Sequence, residues 1–472
     1  MKRNLILFFL LFENVWSLSS QGYDRYVPES DPLVLQKLDA WQDWKFGLMM
    51  HWGAYSVWGI VESWSLCSEP QWVREGPYAQ DYIEYKRQYE LLPRQFNPVK
   101  FDPEKWAKAA KAAGMKYVVF TTKHHDGFCM FDSRYTDYKI TDSKVPFHTH
   151  PKANVVKEVF ASFREEGFGI GAYFSKPDWH HPDYWASEWA TPDRNVNYDT
   201  RKYPERWQRF KDFTYNQIEE LMTSYAAIDI LWLDGGWVRP FPSEEAEREA
   251  AQRRLWNQDI DMERIVRMAR SHQPGLLVVD RTVGGRYENY VTPEQSIPDQ
   301  PLSYPWETCM TLTDSWSYTP GNKYKSARQI VHMLADIVSK GGNYLLNIGP
   351  GPDGDFDTTA CRRLSEIGRW MSVNAEAIYE TRPVSPCKRE KVCYTAKENC
   401  LYGIYLADEN EILPKEIALK GVTVPQTAVV TLLGVKNKCR WKPAEDGIII
   451  EIPAIARKMP LPSYAWTFKI KK

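Results

Sequence analysis

Ile228-Asp229-Ile230-Leu231-Trp232-Leu233-Asp234-Gly235-Gly236 is the stretch on which the fold turns. The run is short and apolar on both faces apart from Asp229, the pattern of a parallel strand covered on each side. It ends at a carboxylate followed by two glycines, where the chain can turn sharply and its backbone can approach a ligand closely.

Working outward, six more runs of the same kind appear: Phe46 to Met50, Tyr117 to Thr121, Gly169 to Phe174, Leu276 to Val279, Pro305 to Met310 and Tyr344 to Asn347. No eighth is evident. Between them lie segments of helical period, among them Arg209 to Tyr225, Met262 to Ser271, Ala327 to Ser339 and Arg362 to Tyr379. Asp102 before Pro103 has the form of an N-cap and first helical residue, and Lys340-Gly341-Gly342 that of a helix stop. Strands alternating with helices predict an α/β fold, a distorted (β/α) TIM-like barrel. From about residue 385 the pattern changes to short β-prone segments, Leu401 to Leu406, Thr427 to Leu433, Gly447 to Ile452 and Ala465 to Ile470, as in a small C-terminal antiparallel β-sandwich. The expected division is a signal peptide at 1–20, a catalytic barrel at 21–384 and the sandwich at 385–472.

The signal peptide is read from Lys2 and Arg3, the apolar run Leu5 to Phe12, and the small residues Ser17, Ser19 and Ser20. It predicts an exported protein, periplasmic or secreted. The first cysteine is Cys67, so no lipid-anchor cysteine follows the expected cleavage site, and no later run has the roughly 20 apolar residues needed to cross a bilayer. Membrane insertion is therefore not expected. Lys+Arg 60 against Asp+Glu 61 leaves a formal net charge of -1, which gives no field for a polyanion and argues against nucleic acid. The 20 tryptophans exceed the needs of a core, and indole faces suit sugar rings. Export permits disulfides; Cys387, Cys393, Cys400 and Cys439 lie where a small domain would gain most from one.

Catalytic groups of a (β/α) barrel sit at the C-terminal ends of its strands. Here those ends read His51-Trp52-Gly53, Lys123-His124-His125-Asp126-Gly127, Tyr173, Asp234-Gly235-Gly236 and Asp280-Arg281. Two histidines beside a carboxylate are ligand types for a metal, but neighbours on a strand point to opposite faces unless the strand has already broken into loop. Hydrogen bonding of sugar hydroxyls by neutral imidazole is the reading preferred. Glycoside hydrolysis needs a second carboxyl, which in a retaining enzyme lies about 5 Å from the first. Glu288, Glu294 and Glu307 are the candidates, and spacing does not choose among them.

Six ordered motifs resemble the α-L-fucosidases of glycoside hydrolase family 29: His51-Trp52-Gly53, Lys123 to Phe128, Trp232 to Gly236, Thr292-Pro293-Glu294-Gln295, Trp306-Glu307 and Gly341 to Pro350. The resemblance implies retention of configuration, no metal or organic cofactor, Asp234 as nucleophile and Glu294 as acid/base, with Glu288 in reserve. It implies that His51, His124, His125 and Tyr173 bind fucose hydroxyls, that Trp232 lines the pocket and that Arg281 lies near the nucleophile. Glu62 falls where the family has Glu-Trp-Tyr, although Ser63 departs from that pattern, and Trp316 is suggested to meet the fucose methyl. The implied partner is a fucosylated oligosaccharide or glycoprotein glycan, with α-1,3- or α-1,4-linked fucose as the expected linkage; the oligomeric state is not implied. The competing readings are a related retaining glycosidase acting on another sugar, such as an α-L-galactoside, and a carbohydrate-binding relic without turnover.

Overall fold

The computed structural model describes residues 25–67, 69, 74, 76–191, 193–459 and 463–471, so the expected signal peptide lies outside the described residues. Seven parallel strands, β1 (Phe46–Met50), β2 (Tyr117–Lys123), β3 (Gly169–Ser175), β4 (Ile230–Asp234), β5 (Leu277–Asp280), β6 (Glu307–Thr311) and β7 (Asn343–Asn347), pair in the order β5-β4-β3-β2-β1-β7-β6. Each of the seven expected runs is a strand. β4 extends one residue further than the apolar pattern, so Asp234 is itself a strand residue.

Alternation along the strands divides them between two apolar layers. Met49, Val119, Tyr173, Ile230, Trp232 and Leu345 fill the lumen, whereas Leu48, Val118, Ile170, Leu231, Val278 and Leu346 face the surrounding helices. Those helices are α1 (Pro32–Trp44), α2 (Tyr82–Tyr89), α3 (Pro103–Ala112), α4 (Val155–Glu165), α5 (Pro204–Ser224), α6 (Glu244–Gln252), α7 (Met262–His272), α8 (Ala327–Ser339) and α9 (Thr358–Asn374). Asp102 caps α3 by accepting from the Lys105 N–H, as its sequence position predicts. α5 and α9 begin earlier than the apolar spacing indicates, at Pro204 in the first helical position and just after the capping Asp357.

The eighth strand is replaced by an irregular segment. β5 and β6 do not pair directly; instead the chain from Glu288 to Glu294 bridges Val279 on one side and Trp306 and Cys309 on the other. Pro293 has no N–H for a ladder and Gln295 has a positive φ of 51°, so the segment closes the barrel without a regular strand. From below, α1 inserts Val34, Leu38 and Trp41 into the lumen layer, and Trp41 stacks on Tyr290 of the closing segment at 4.0 Å.

The sandwich contains β8 (Arg382–Arg389), β9 (Val392–Lys397), β10 (Cys400–Leu406), β11 (Glu416–Lys420), β12 (Val429–Leu432), β13 (Lys438–Ala444), β14 (Gly447–Glu451) and β15 (Ala465–Lys471). They are antiparallel in the order β11-β14-β13-β12-β15-β10-β9-β8, folded so that Gly403 of β10 faces Leu419 of β11. None of the eight cysteines is bridged, including the four in this domain. Among the described residues no helix is long and apolar enough to cross a membrane.

Candidate active site

Asp234 follows Ile230 and Trp232 on the inward face of β4, so alternation alone aims its side chain into the mouth of the lumen. The two glycines after it have separate causes. Gly235 adopts φ +90° beside Pro177, and a Cβ on Gly236 would lie 2.1 Å from Thr282 Oγ1 and 2.7 Å from the Arg281 carbonyl. The second glycine thus lets the loop after β5 lie against the end of β4, which brings Arg281 to the carboxylate.

Asp234 Oδ1 accepts from Arg281 Nη1 at 3.1 Å and from the Gly235 N–H at 2.8 Å, and Oδ2 accepts from the Tyr173 hydroxyl at 2.7 Å. Burial by itself would raise its pKa, but the guanidinium charge and these donors hold the carboxyl well below the usual range. It is therefore an anion at any working pH. The other end of Arg281 pairs with Glu294, and its guanidinium lies over the Trp232 ring, 5.1 Å from the centroid.

The three carboxyls left open by spacing are now distinguished. Glu294 stands on the pocket wall with its side chain 42% exposed. Glu288 is buried away from the cavity and accepts the N–H groups of Thr282 at 3.0 Å and Gly284 at 2.7 Å, organising the turn after β5. Glu307 lies deeper still, accepting from Tyr117 at 2.7 Å and from the Trp232 indole at 3.2 Å. Burial pushes both Glu288 and Glu307 up to about 7. The reserve assignment of Glu288 as acid/base is thereby displaced, because its carboxyl is committed to backbone donors.

The cavity of about 260 Å³ is lined by His51, Glu62, His124, Tyr173, Trp232 and Trp316, together with Asp234, Arg281 and Glu294. Glu62 is buried, accepts the Ser317 N–H at 2.7 Å, and is pushed up to about 7 by burial. Trp316 packs on His51, ring centroids 5.1 Å apart. His125 does not line the cavity; it stands behind the carboxylate, with Nε2 3.8 Å from Asp234 Oδ2. Burial lowers His51 and His125 to about 4 and lowers His124 well below its ordinary value, so all three rings are neutral near pH 7.

β2 ends at Lys123, so both following histidines are past the strand, and their rings lie only 4.3 Å apart. They converge instead of facing opposite ways. Their nitrogens and one Asp234 oxygen come within 4.8 Å of one another, ligand types suited to a metal. A cation there would compete with Arg281 for Asp234 and with the Ser63 and Ser175 hydroxyls that hold the two Nδ1 atoms.

Arg194 was not legible from the sequence, because it lies in the long connection after β3, far from any strand end. It lines the cavity beside Trp64 and Trp237, with its guanidinium carbon 4.8 and 5.1 Å from their rings, and it pairs with Glu69 at 2.5 Å. The abundance of tryptophan was the one related signal in the sequence, and it does not point to Arg194.

The α-L-fucosidase family model matches residues 15–376, and the α-L-fucosidase C-terminal domain model matches 386–471. Human tissue α-L-fucosidase is 29% identical, the match covering 99% of this chain and 96% of that protein. The structure of α-L-fucosidase isoenzyme 1 from Paenibacillus thiaminolyticus aligns with a TM-score of 0.73 and 31% identity, covering 93% of this chain and 99% of that one. A Bacteroides thetaiotaomicron α-L-fucosidase, trapped as a covalent intermediate with 2-fluoro-fucosyl fluoride, aligns with a TM-score of 0.72 and 25% identity over 94% of this chain and 97% of its own. With the family model spanning the barrel and its companion spanning the sandwich, this chain belongs to the α-L-fucosidase family.

Proposed function

We propose that the protein is a retaining, exo-acting α-L-fucosidase, releasing terminal α-L-fucosyl groups from oligosaccharides or glycoconjugates, with Asp234 as nucleophile and Glu294 as acid/base. The observation that carries this reading is a single guanidinium, Arg281, holding one carboxylate on each side at the wall of a pocket whose floor is filled by the barrel core. Two carboxyls bound to one guanidinium suit the close spacing of a retaining pair, about 5 Å.

In the first step an Asp234 oxygen bonds to the anomeric carbon while the bond to the leaving oxygen breaks, and Glu294 gives that oxygen its proton. In the second, water attacks the fucosyl ester, Glu294 takes the water's proton, and Asp234 leaves as carboxylate. Two inversions amount to retention, and the covalent intermediate trapped in the Bacteroides relative supports the same course.

The cavity walls support the choice of sugar. A 6-deoxy sugar needs an apolar surface for its methyl, which Trp316 and Trp232 offer, and polar partners for its hydroxyls, which His51, His124 and Glu62 offer. His125 acts beside the nucleophile, and Tyr173 spends its hydroxyl proton on Asp234. A cavity of 260 Å³ matches one ring and hence exo action. Export through the segment at 1–20 and a preference for α-1,3- or α-1,4-linked fucose belong to the same proposal.

The test compares wild type with Asp234→Ala on an aryl α-L-fucoside and on a fucosylated branched trisaccharide. Fucose release is expected from wild type, with kcat at least about a thousandfold lower in the variant. The faster substrate reports the linkage preference. Release of galactose in place of fucose from the matching aryl α-L-galactoside, or no release from any substrate, would overturn the sugar assignment.

A further inference from the structure

A neutral imidazole carries its proton on one nitrogen and a lone pair on the other, and the partner of one nitrogen decides what the other can do. Around two histidines of this site the partners leave no freedom.

His51 Nδ1 lies 2.8 Å from Asn347 Oδ1, which also accepts the His51 backbone N–H at 3.2 Å. The amide's other end donates to the Trp316 carbonyl at 2.6 Å. Turning the amide over would set NH₂ against N–H at one end and oxygen against a carbonyl at the other, so its orientation is fixed twice. An amide oxygen only accepts, and His51 Nδ1 must therefore carry the proton. His125 Nδ1 lies 2.7 Å from Ser175 Oγ, and that hydroxyl donates its single proton to the Pro177 carbonyl at 2.6 Å. His125 Nδ1 must also be the protonated nitrogen. Its Nε2 is buried without a partner, a bare lone pair 3.8 Å from an ionised carboxylate oxygen. The Ser63 hydroxyl against His124 Nδ1 has no such second bond to fix its direction.

We propose that Asn347 and Ser175 are positioning residues that lock His51 and His125 as Nδ1–H tautomers, so that His51 meets the ligand with an unprotonated Nε2 and His125 holds an unprotonated Nε2 behind the Asp234 carboxylate. An acceptor at His51 calls for a donor on the ligand. On the reading that the substrate is a fucoside, that donor is a sugar hydroxyl, while at His125 the bare Nε2 leaves the Asp234 oxygen without a second donor that would weaken it as nucleophile. The motif from Gly341 to Pro350 thus contributes Asn347, at the end of β7, to a site whose nucleophile is on β4, and Ser175 does so from the end of β3.

The test is long-range ¹H–¹⁵N correlation spectroscopy on the full chain labelled with ¹⁵N-histidine, near pH 7 and without ligand, with the nine rings assigned by single substitution. His51 and His125 are expected to show protonated Nδ1 and bare Nε2. Asn347→Ala and Ser175→Ala should each move the corresponding ring toward the Nε2–H form; the first should raise KM by about tenfold or more, the loss of one hydrogen bond, and the second should lower kcat by about tenfold, because an Nε2–H would then donate to Asp234. Ser175→Thr, which keeps the hydroxyl, should restore both readouts. An Nε2–H signature for either ring in the wild type overturns the assignment at that ring. The wild-type spectrum decides the tautomers even if a variant does not fold or the protein releases no fucose. Absence of fucose release counts against the fucoside reading alone.

Discussion

The carboxyls of Asp234 and Glu307 are driven in opposite directions by their surroundings. Asp234 gains a guanidinium, a phenol and a backbone N–H, and stays ionised despite burial. Glu307, beneath it, has only Tyr117 and Trp232 as donors and is pushed up to about 7. A carboxyl whose pKa is higher folded than unfolded contributes stability that is fully present below the unfolded value, about 4.3, and is lost as pH rises through the folded one. Glu307→Gln removes that titration and keeps the shape, its oxygen accepting from Trp232 and its NH₂ donating to a rotated Tyr117 hydroxyl. Thermal or denaturant unfolding at pH 5 and pH 8 should show the variant gaining on wild type at the higher pH, by up to about 3 kcal/mol. A gain at pH 5 instead would mean that Glu307 folds as the anion. Sequence placed Glu307 among three candidates for the second carboxyl; its depth, which makes it a support for the pocket floor, follows from the phase of β6 relative to β4.

The gap between β5 and β6 is the least regular element, and it carries the proposed acid/base. Segment 288–294 is held by three bridges to its neighbours and by the stacking of Tyr290 on Trp41. α1 is thus both a floor for the lumen and a brace for the closing segment. Trp41 is fully buried, its carbonyl accepts from Asn343 Nδ2 at 2.7 Å, and Trp41→Ala would leave an indole-sized void there. The expected loss is about 3–5 kcal/mol in denaturant unfolding. Because the void opens at the end of the barrel opposite the mouth, kcat per folded molecule should stay within about tenfold of wild type, far from the loss expected of Asp234→Ala. The missing eighth strand illustrates what periodicity can reveal: seven runs repeat the apolar pattern and are read directly, whereas Glu288 to Glu294 mixes Asn, Thr, Pro and Glu, and owes its place to what it bridges.

At the scale of the molecule, the sandwich is joined to the outer helices and not to the mouth. Arg328 and His332 of α8 bond the carbonyls of Ser463 and Tyr464 at 2.9 and 2.8 Å, and the indole of Trp370 on α9 donates to the Ala465 carbonyl at 2.9 Å. Thr395 of β9 returns a bond to Ala377 at 2.8 Å. A contact of this kind, with a buried tryptophan at its centre, couples the two folding units. The full chain should unfold in a single calorimetric transition, and a chain ending at residue 384 should lose solubility or melt lower, since it exposes Trp370 and leaves those donors without partners. Two resolved transitions in the full chain would mean that the sandwich folds independently.

The sequence by itself determined the repeating strands, the change to β pattern near residue 385, the carboxylate at the end of β4 and the strand-end histidines, because each is a local pattern of polarity and spacing. Tertiary structure alone decided that His124 and His125 converge, that Glu294 and not Glu288 meets Arg281, that Glu307 sits beneath the pocket and that Arg194 reaches its wall. These facts depend on where loops return in space and on which backbone donors are left to bind a carboxylate. Neither is encoded in the spacing of residues along the chain.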